Sequence, residues 1–189
     1  MKKIVLIPSY EPDEELIKLI NNLKKENVDI IVVNDGSSGE YNKIFDKIQN
    51  DVKLISYKKN CGKGYALKTG LKYIKENYEN DYAIVTMDSD GQHTIKDAMK
   101  LCSFIEENPD KLVLGKRLRE KKIPLRSKIG NEITKWIYKK VTKVSVYDTQ
   151  TGLRAFSNKL IDFMINIEGN RFEYEMNVIL KSPYKGIKI

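Results

Sequence analysis

The chain has 189 residues, 41% of them apolar and 32% charged, and 34 Lys or Arg against 26 Asp or Glu give it a formal charge of +8. Such a balance suits one globular domain with a core of its own, requires no second domain, and holds no apolar run near the roughly 20 residues of a membrane span. Two cysteines without Cys-x-x-Cys spacing exclude a disulfide framework, and the run Ile4 to Ile7 is too short for a signal-peptide core, so the cytoplasm is the expected compartment.

Lys3 to Ile7 reads as a strand that ends at Pro8, and Glu11-Pro12-Asp13 then supplies a turn with helix-start chemistry. Leu16, Leu19, Ile20 and Leu23 form the apolar stripe of a first helix. Asp29 to Val33 is a second strand running into Asn34-Asp35-Gly36-Ser37-Ser38, which puts a carboxylate at a strand end. Ile44, Phe45 and Ile48 mark a second helix, Val52 to Tyr57 a third strand, and Asn60-Cys61-Gly62-Lys63-Gly64 a glycine-rich turn into a helix over 65–78. A fourth strand over 82–87, a helix over 95–107 and a fifth strand over 112–114 continue the alternation. Strand and helix in strict succession predict an α/β fold, a mostly parallel, Rossmann-like sheet with helices on both faces.

Beyond Gly115 the rhythm changes. Lys116 to Ile123 reads as a charged loop, and Leu125 to Lys143 as a basic helix with apolar residues at Leu125, Ile129, Ile133, Trp136, Ile137 and Val141. Residues 111–143 hold twelve Lys or Arg against Glu120 and Glu132, a local charge of +10 that leaves −2 for the rest of the chain. A field of that kind implies an anionic partner: nucleic acid, a phosphorylated substrate or an anionic membrane surface. Asp148-Thr149-Gln150-Thr151-Gly152-Leu153-Arg154 then turns into a short strand, a helix follows near 159–165, Asn170 to Glu175 opens a last helix, and residues 186–189 are strand-like.

The chemistry concentrates where the fourth strand stops, at Met87-Asp88-Ser89-Asp90-Gly91-Gln92-His93. Open α/β sheets bind ligands at the C-terminal ends of their strands, and two carboxylates one residue apart on a turn can share a divalent cation completed by phosphate oxygens. A solvated Asp-Ser-Asp-Gly turn is the competing reading. Acids at Asp35, Asp88 with Asp90, and Asp148, with bases downstream, suit a nucleotide diphosphate. Asp35 would accept from a base or ribose and Asp88 from ribose, while Asp90 and Gln92 would give oxygens to Mg²⁺ or Mn²⁺. Alone, Asp35 reads more readily as a residue of an Asn-Asp-Gly-Ser turn, and its company gives it value. The Gly62-Lys63-Gly64 turn allows either a close backbone approach or a Lys63 contact to phosphate. His93, the only histidine, excludes histidine-rich metal sites. Glu173 and Glu175 are two apart on a helix and point in different directions, so at most one faces the site.

Four motifs together resemble the family-two glycosyltransferases of the GT-A fold: Ile7-Pro8-Ser9-Tyr10-Glu11, Val33-Asn34-Asp35-Gly36-Ser37-Ser38, Asn60 to Leu67, and Met87 to His93. The stretch Asp148 to Arg154 is similar to one that marks the polyprenol-phosphate branch, which includes dolichyl-phosphate mannose synthase. The resemblance implies a single GT-A domain over 1–189, its nucleotide-sugar half at about 1–115 and its acceptor half at about 116–189. It implies a nucleotide-diphosphate sugar bound by Pro8, Tyr10, Glu11, Asp35, Lys63 and Asp88, with Mg²⁺ or Mn²⁺ on Asp90 and Gln92. It further places Asp90, Asp148, Arg117 and Arg126 at the catalytic centre, the arginines taking the phosphate of a polyprenyl phosphate. Inversion at the sugar carbon is expected, by a chain lying peripherally on the anionic cytoplasmic face of a membrane. An ionised phosphate acceptor needs no strong general base, unlike a sugar hydroxyl. Relatives continue beyond a strand like Lys185 to Ile189, so the chain is expected to be truncated at its C-terminus. Three alternatives stand beside this reading: a soluble or cell-surface glycan as acceptor, a nucleotidyltransferase, which lacks here its glycine-rich loop at the first strand, and a non-catalytic nucleic-acid-binding domain. The last leaves the acidic strand ends unexplained, so no nucleic acid is expected as a partner.

Overall fold

The computed structural model describes residues 1–115 and 151–189. Strand β1 (Lys2–Ser9) leads into helix α1 (Glu14–Leu23), then β2 (Asp29–Asn34), α2 (Asn42–Ile48), β3 (Lys53–Ser56), α3 (Lys63–Asn77), β4 (Tyr82–Thr86), α4 (Ile95–Glu107) and β5 (Val113–Leu114). After the segment 116–150 come β6 (Arg154–Ser157), α5 (Ile161–Asn166) and α6 (Glu173–Lys181). The helix expected over 125–143, together with Arg117, Arg126 and Asp148, lies outside the described residues.

The sheet order is β3-β2-β1-β4-β6-β5. The strands β1 to β4 pair in parallel, and β6 enters antiparallel between β4 and β5. The fifth strand of the sequence is therefore only two residues long and meets β6 instead of β4. Its shortness has a chemical cause, since Asn108-Pro109-Asp110 closes the preceding helix and Gly115 follows at once. At the other end of the described chain, the strand-like residues reduce to one parallel bridge, Lys111 to Lys188.

Both faces of the central strands are dry. Val5, Ile7, Ile30, Val32, Ala83, Val85 and Ala155 pack with α1, α2 and α4, whereas Ile4, Leu6, Ile31, Val33, Ile84 and Phe156 pack with α3, α5 and α6. The alternation follows the two-residue period of a strand, and burial on both sides explains why β1, β2 and β4 read as continuous apolar runs. Helix α1 shows the companion rule: Leu16, Leu19, Ile20 and Leu23 are all buried, each worth about 1.5 to 3 kcal/mol. The helix begins where the Asp13 side chain accepts from the Glu15 N–H at 2.9 Å. No helix among the described residues is long and apolar enough to cross a membrane.

Chain order puts the site in place. From β1 the chain winds outward through β2 to β3 and then returns across β1 to β4, so the connections leave β1 and β4 in opposite directions and open a crevice beyond their C-terminal ends. The turns after β1, β2 and β4 and the start of α3 all converge there.

Candidate active site

The turn after β2 is held by one carboxylate. Asp35, only 3% exposed, accepts from the Tyr57 hydroxyl at 2.7 Å, the Asn60 amide at 3.1 Å, and the backbone N–H groups of Cys61 at 2.9 Å and Gly62 at 2.8 Å. A carboxylate has about four lone-pair positions, and these four donors fill them. Burial first, then the Asp35 carboxylate, pushes the Tyr57 hydroxyl well above its ordinary range, so it stays a donor. Asp35 thus orders the Asn60-Cys61-Gly62 turn.

That turn delivers Lys63. Gly62 has φ 102°, a conformation open to glycine, and a Cβ there would sit 2.5 Å from the carbonyl oxygen of Asn170. At Gly64 a Cβ would lie 2.5 Å from that of Tyr174. The two glycines thus let α3 press against residues 170–174, where the Tyr65 N–H donates to the Asn170 carbonyl at 2.8 Å. Of the two readings left open for this turn, the close backbone approach is present, made against residues 170–174, while the Lys63 ammonium meets two carboxylates.

The Lys63 ammonium lies between two carboxylates, 2.6 Å from Asp88 Oδ1 and 3.0 Å from Glu175 Oε1. His93, buried, places Nε2 3.3 Å from the other Asp88 oxygen. Burial pushes the Lys63 ammonium down, but Glu175 and Asp88 outweigh it and hold its pKa above the ordinary lysine value. Burial likewise pushes Asp88 up, and the Lys63 charge with the hydrogen bonds from His93 and Lys63 holds its carboxyl well below the usual carboxylate range. Asp88 is also walled in from the strand side: a Cβ on Gly152 would lie 2.2 Å from Asp88 Oδ1, and the Thr86 hydroxyl donates to the Gly152 carbonyl at 2.7 Å.

The remaining predicted residues sit at the rim. Pro8 is buried at the end of β1, while Tyr10 and Glu11 are exposed just past it. The Glu11 N–H donates to Ser37 Oγ at 2.9 Å, which ties the turn after β1 to the one after β2. Asp90 and Gln92 are exposed on the turn after β4. One Asp90 oxygen accepts from the Gln92 N–H at 3.1 Å and the other from its side-chain amide, and among the described residues Asp90 forms no ion pair. A carboxylate and an amide oxygen, open to solvent and uncompensated, are hard donors that suit Mg²⁺ or Mn²⁺. Among the described residues no group of three or more His, Cys, Asp or Glu surrounds such a site.

Glu175 is the member of the cluster that sequence reasoning left undecided between two candidates. Its spacing from Glu173 allowed one of the pair to face the site, and the structure selects Glu175. Glu173 instead turns back to accept from the N–H groups of Asn170 at 3.0 Å and Arg171 at 3.1 Å. Nothing in the pattern Arg171-Phe172-Glu173-Tyr174-Glu175 distinguishes a capping acid from a buried one before the packing of α6 is known.

A family model described as glycosyl transferase family 2 matches residues 4–169. A UDP-N-acetylglucosamine–dolichyl-phosphate N-acetylglucosaminyltransferase of Methanococcus voltae is 32% identical over 190 residues, covering 89% of this chain and 75% of the relative. An uncharacterized protein of Methanocaldococcus jannaschii is 30% identical over 191 residues, covering 98% and 77%. Among solved structures, S. aureus TarS in complex with UDP-GlcNAc superposes with a TM-score of 0.57 at 21% identity, over 95% of this chain and 54% of that one. The chain thus spans about half the length of that solved chain, and the likeness is one of fold.

Proposed function

The chain belongs to glycosyl transferase family 2, and from that premise we propose that it is a metal-dependent inverting transferase moving a sugar from a nucleotide diphosphate to a polyprenyl phosphate. The observation that carries the proposal is the crevice beyond β1 and β4, where the half-buried Asp88–Lys63 pair and the buried Glu175 lie beside the open Asp90-Gln92 turn. Pro8, Tyr10, Glu11, the Asp35-held turn, Lys63 and Asp88 bind the nucleotide. UDP-N-acetylglucosamine is the donor to test first, because the M. voltae relative is named for it. Asp90 and Gln92 would hold Mg²⁺ or Mn²⁺, which supplies neutralisation of charge on the leaving diphosphate.

The acceptor reading has the same support, a relative named for transfer to dolichyl phosphate. A phosphate oxygen of the lipid attacks the anomeric carbon as the bond to the diphosphate breaks, inverting that centre and releasing the nucleotide. Because the attacking phosphate is already ionised, no carboxylate is needed to take a proton from it. Arg117 and Arg126 would offset the repulsion between the two anions, a task suited to a planar, permanently charged guanidinium. Such an acceptor brings the chain to the cytoplasmic membrane face, where its basic segment meets anionic lipid.

Two experiments test this reading. Purified protein given UDP-N-acetylglucosamine and Mn²⁺ is expected to glycosylate a short polyprenyl phosphate and to leave neutral glycans untouched, as followed by mass spectrometry. Transfer to the glycans alone would replace the lipid acceptor. Asp90→Ala is expected to remove the Mn²⁺-dependent part of UDP binding measured by calorimetry while changing stability by less than about 0.5 kcal/mol, since the side chain is exposed. Unchanged, metal-dependent binding in that variant would move the metal off Asp90.

A further inference from the structure

The buried carboxylate of Glu175 has no role in the chemistry derived so far, yet it is only 5% exposed and meets the site directly through Lys63. Three independent contacts fix it there. The Arg154 guanidinium donates to the Glu175 carbonyl at 2.7 Å, the Tyr174 hydroxyl donates to the Met164 carbonyl at 2.9 Å, and the Tyr174 side chain closes against Gly64, one residue from Lys63. The first turn of α6 is therefore clamped to β6, to α5 and to the start of α3. Glu175 also stands in that first turn, where the helix dipole favours a negative charge.

A lysine side chain is long, and its ammonium is a point charge that can swing through many rotamers. Of its three N–H donors, one goes to Asp88 and one to Glu175, which leaves one to meet an incoming oxygen. With Asp88 alone, the ammonium could pivot about a single contact. Two carboxylates on different elements, the turn after β4 and helix α6, together define its position.

Resting on the nucleotide-sugar reading above, we propose that Glu175 is a positioning residue: it fixes Lys63 so that the free N–H of the ammonium is aimed at a diphosphate oxygen of the bound nucleotide. Glu175 makes no contact with the ligand itself. Its effect passes through Lys63, and that dependence can be measured.

The test is a double-mutant cycle on UDP affinity, read by calorimetry in Mn²⁺ on the whole 189-residue chain. Glu175→Met keeps the length of the side chain but removes the acceptor, and it is expected to weaken UDP binding by about 10- to 100-fold, the range of coupling between contacting residues. Glu175→Gln, which retains an oxygen for the Lys63 ammonium, is expected to restore binding to within about three-fold of the parent protein. In a Lys63→Met background, Glu175→Met should then change UDP affinity by less than about two-fold, because the group it acts on is gone. A residue that merely packs α6 would show its full loss again in that background, and this result overturns the proposal. Parent-like binding in Glu175→Met, or failure of Glu175→Gln to rescue, also overturns it. A parent protein that binds no nucleotide would instead remove the transferase reading, and this inference with it.

Discussion

Replacing Asp35 with Ala is expected to destabilise the protein by about 3 to 5 kcal/mol, since unsatisfied buried donors cost about 1 to 3 kcal/mol each. The substitution strips the acceptor from four donors at once. The Tyr57 hydroxyl and the Asn60 amide can turn toward water, but the N–H groups of Cys61 and Gly62 are fixed by the backbone. Gly62 is buried, and its φ of 102° survives only while the turn is held. Asp35→Asn makes the sharper comparison. It preserves shape while replacing one acceptor oxygen with an NH₂ that must face donors, so it should recover little of the loss. Urea denaturation measures both variants. A cost below about 1 kcal/mol for Asp35→Ala would show that this carboxylate does not anchor the turn. The same substitution should weaken nucleotide binding, because the turn that Asp35 orders also delivers Lys63.

The behaviour of Asp35 illustrates what could and could not be read before the fold was known. Periodicity located α1, α3, α4, β1, β2 and β4 to within a residue or two, because each buries a full stripe or both faces and so carries a strong apolar signal. It could not order the strands beyond β4. The antiparallel insertion of β6 between β4 and β5 depends on a chain that returns after the long basic segment, and no local pattern encodes such a return. At the site, residue type at a strand end was legible: Asp35, Asp88 and Asp90 all stand beyond strands. Their partners were not. A carboxylate offers the same lone pairs to four protein donors as to a ribose, and only packing decides which it meets. Glu175 and Gly152 come to Asp88 and Lys63 from distant points of the chain, so spacing could single out the pair Glu173 and Glu175 but not which of them, or which partner, meets the site.

Lys63→Met is expected to cost about 2 to 4 kcal/mol at pH 7, below the usual penalty for breaking a fully buried ion pair because the Lys63 and Asp88 side chains are 18% and 21% exposed. Here two carboxylates, Asp88 and Glu175, lose the ammonium that joins them among the described residues. The loss should depend on pH in a stated direction. In the parent protein the Asp88 carboxyl lies well below the usual carboxylate range, because Lys63 and His93 outweigh a burial that would raise it. A group depressed in this way adds stability above its unfolded value, near 3.9, and that stability is lost as pH falls through the lower folded value. Without Lys63 the largest opposing charge is gone and burial remains, so Asp88 in the variant takes up its proton more readily on folding than in the parent. As pH falls from 7 toward about 4, the parent therefore keeps or loses stability while the variant gains relative to it, and the gap between them narrows. The contribution of Lys63 itself is constant over that window, since its raised value lies far above it. Urea midpoints of both proteins at several pH values between about 4 and 7 measure the gap. A gap that stays constant, or widens toward acid, would mean that the Asp88–Lys63 pair does not set the charge state of this site. Removing both charges at once supplies the remaining step: the Lys63→Met and Glu175→Met pair strands only Asp88, which keeps His93, so the double variant should be more stable than Lys63→Met alone even though neither binds nucleotide well.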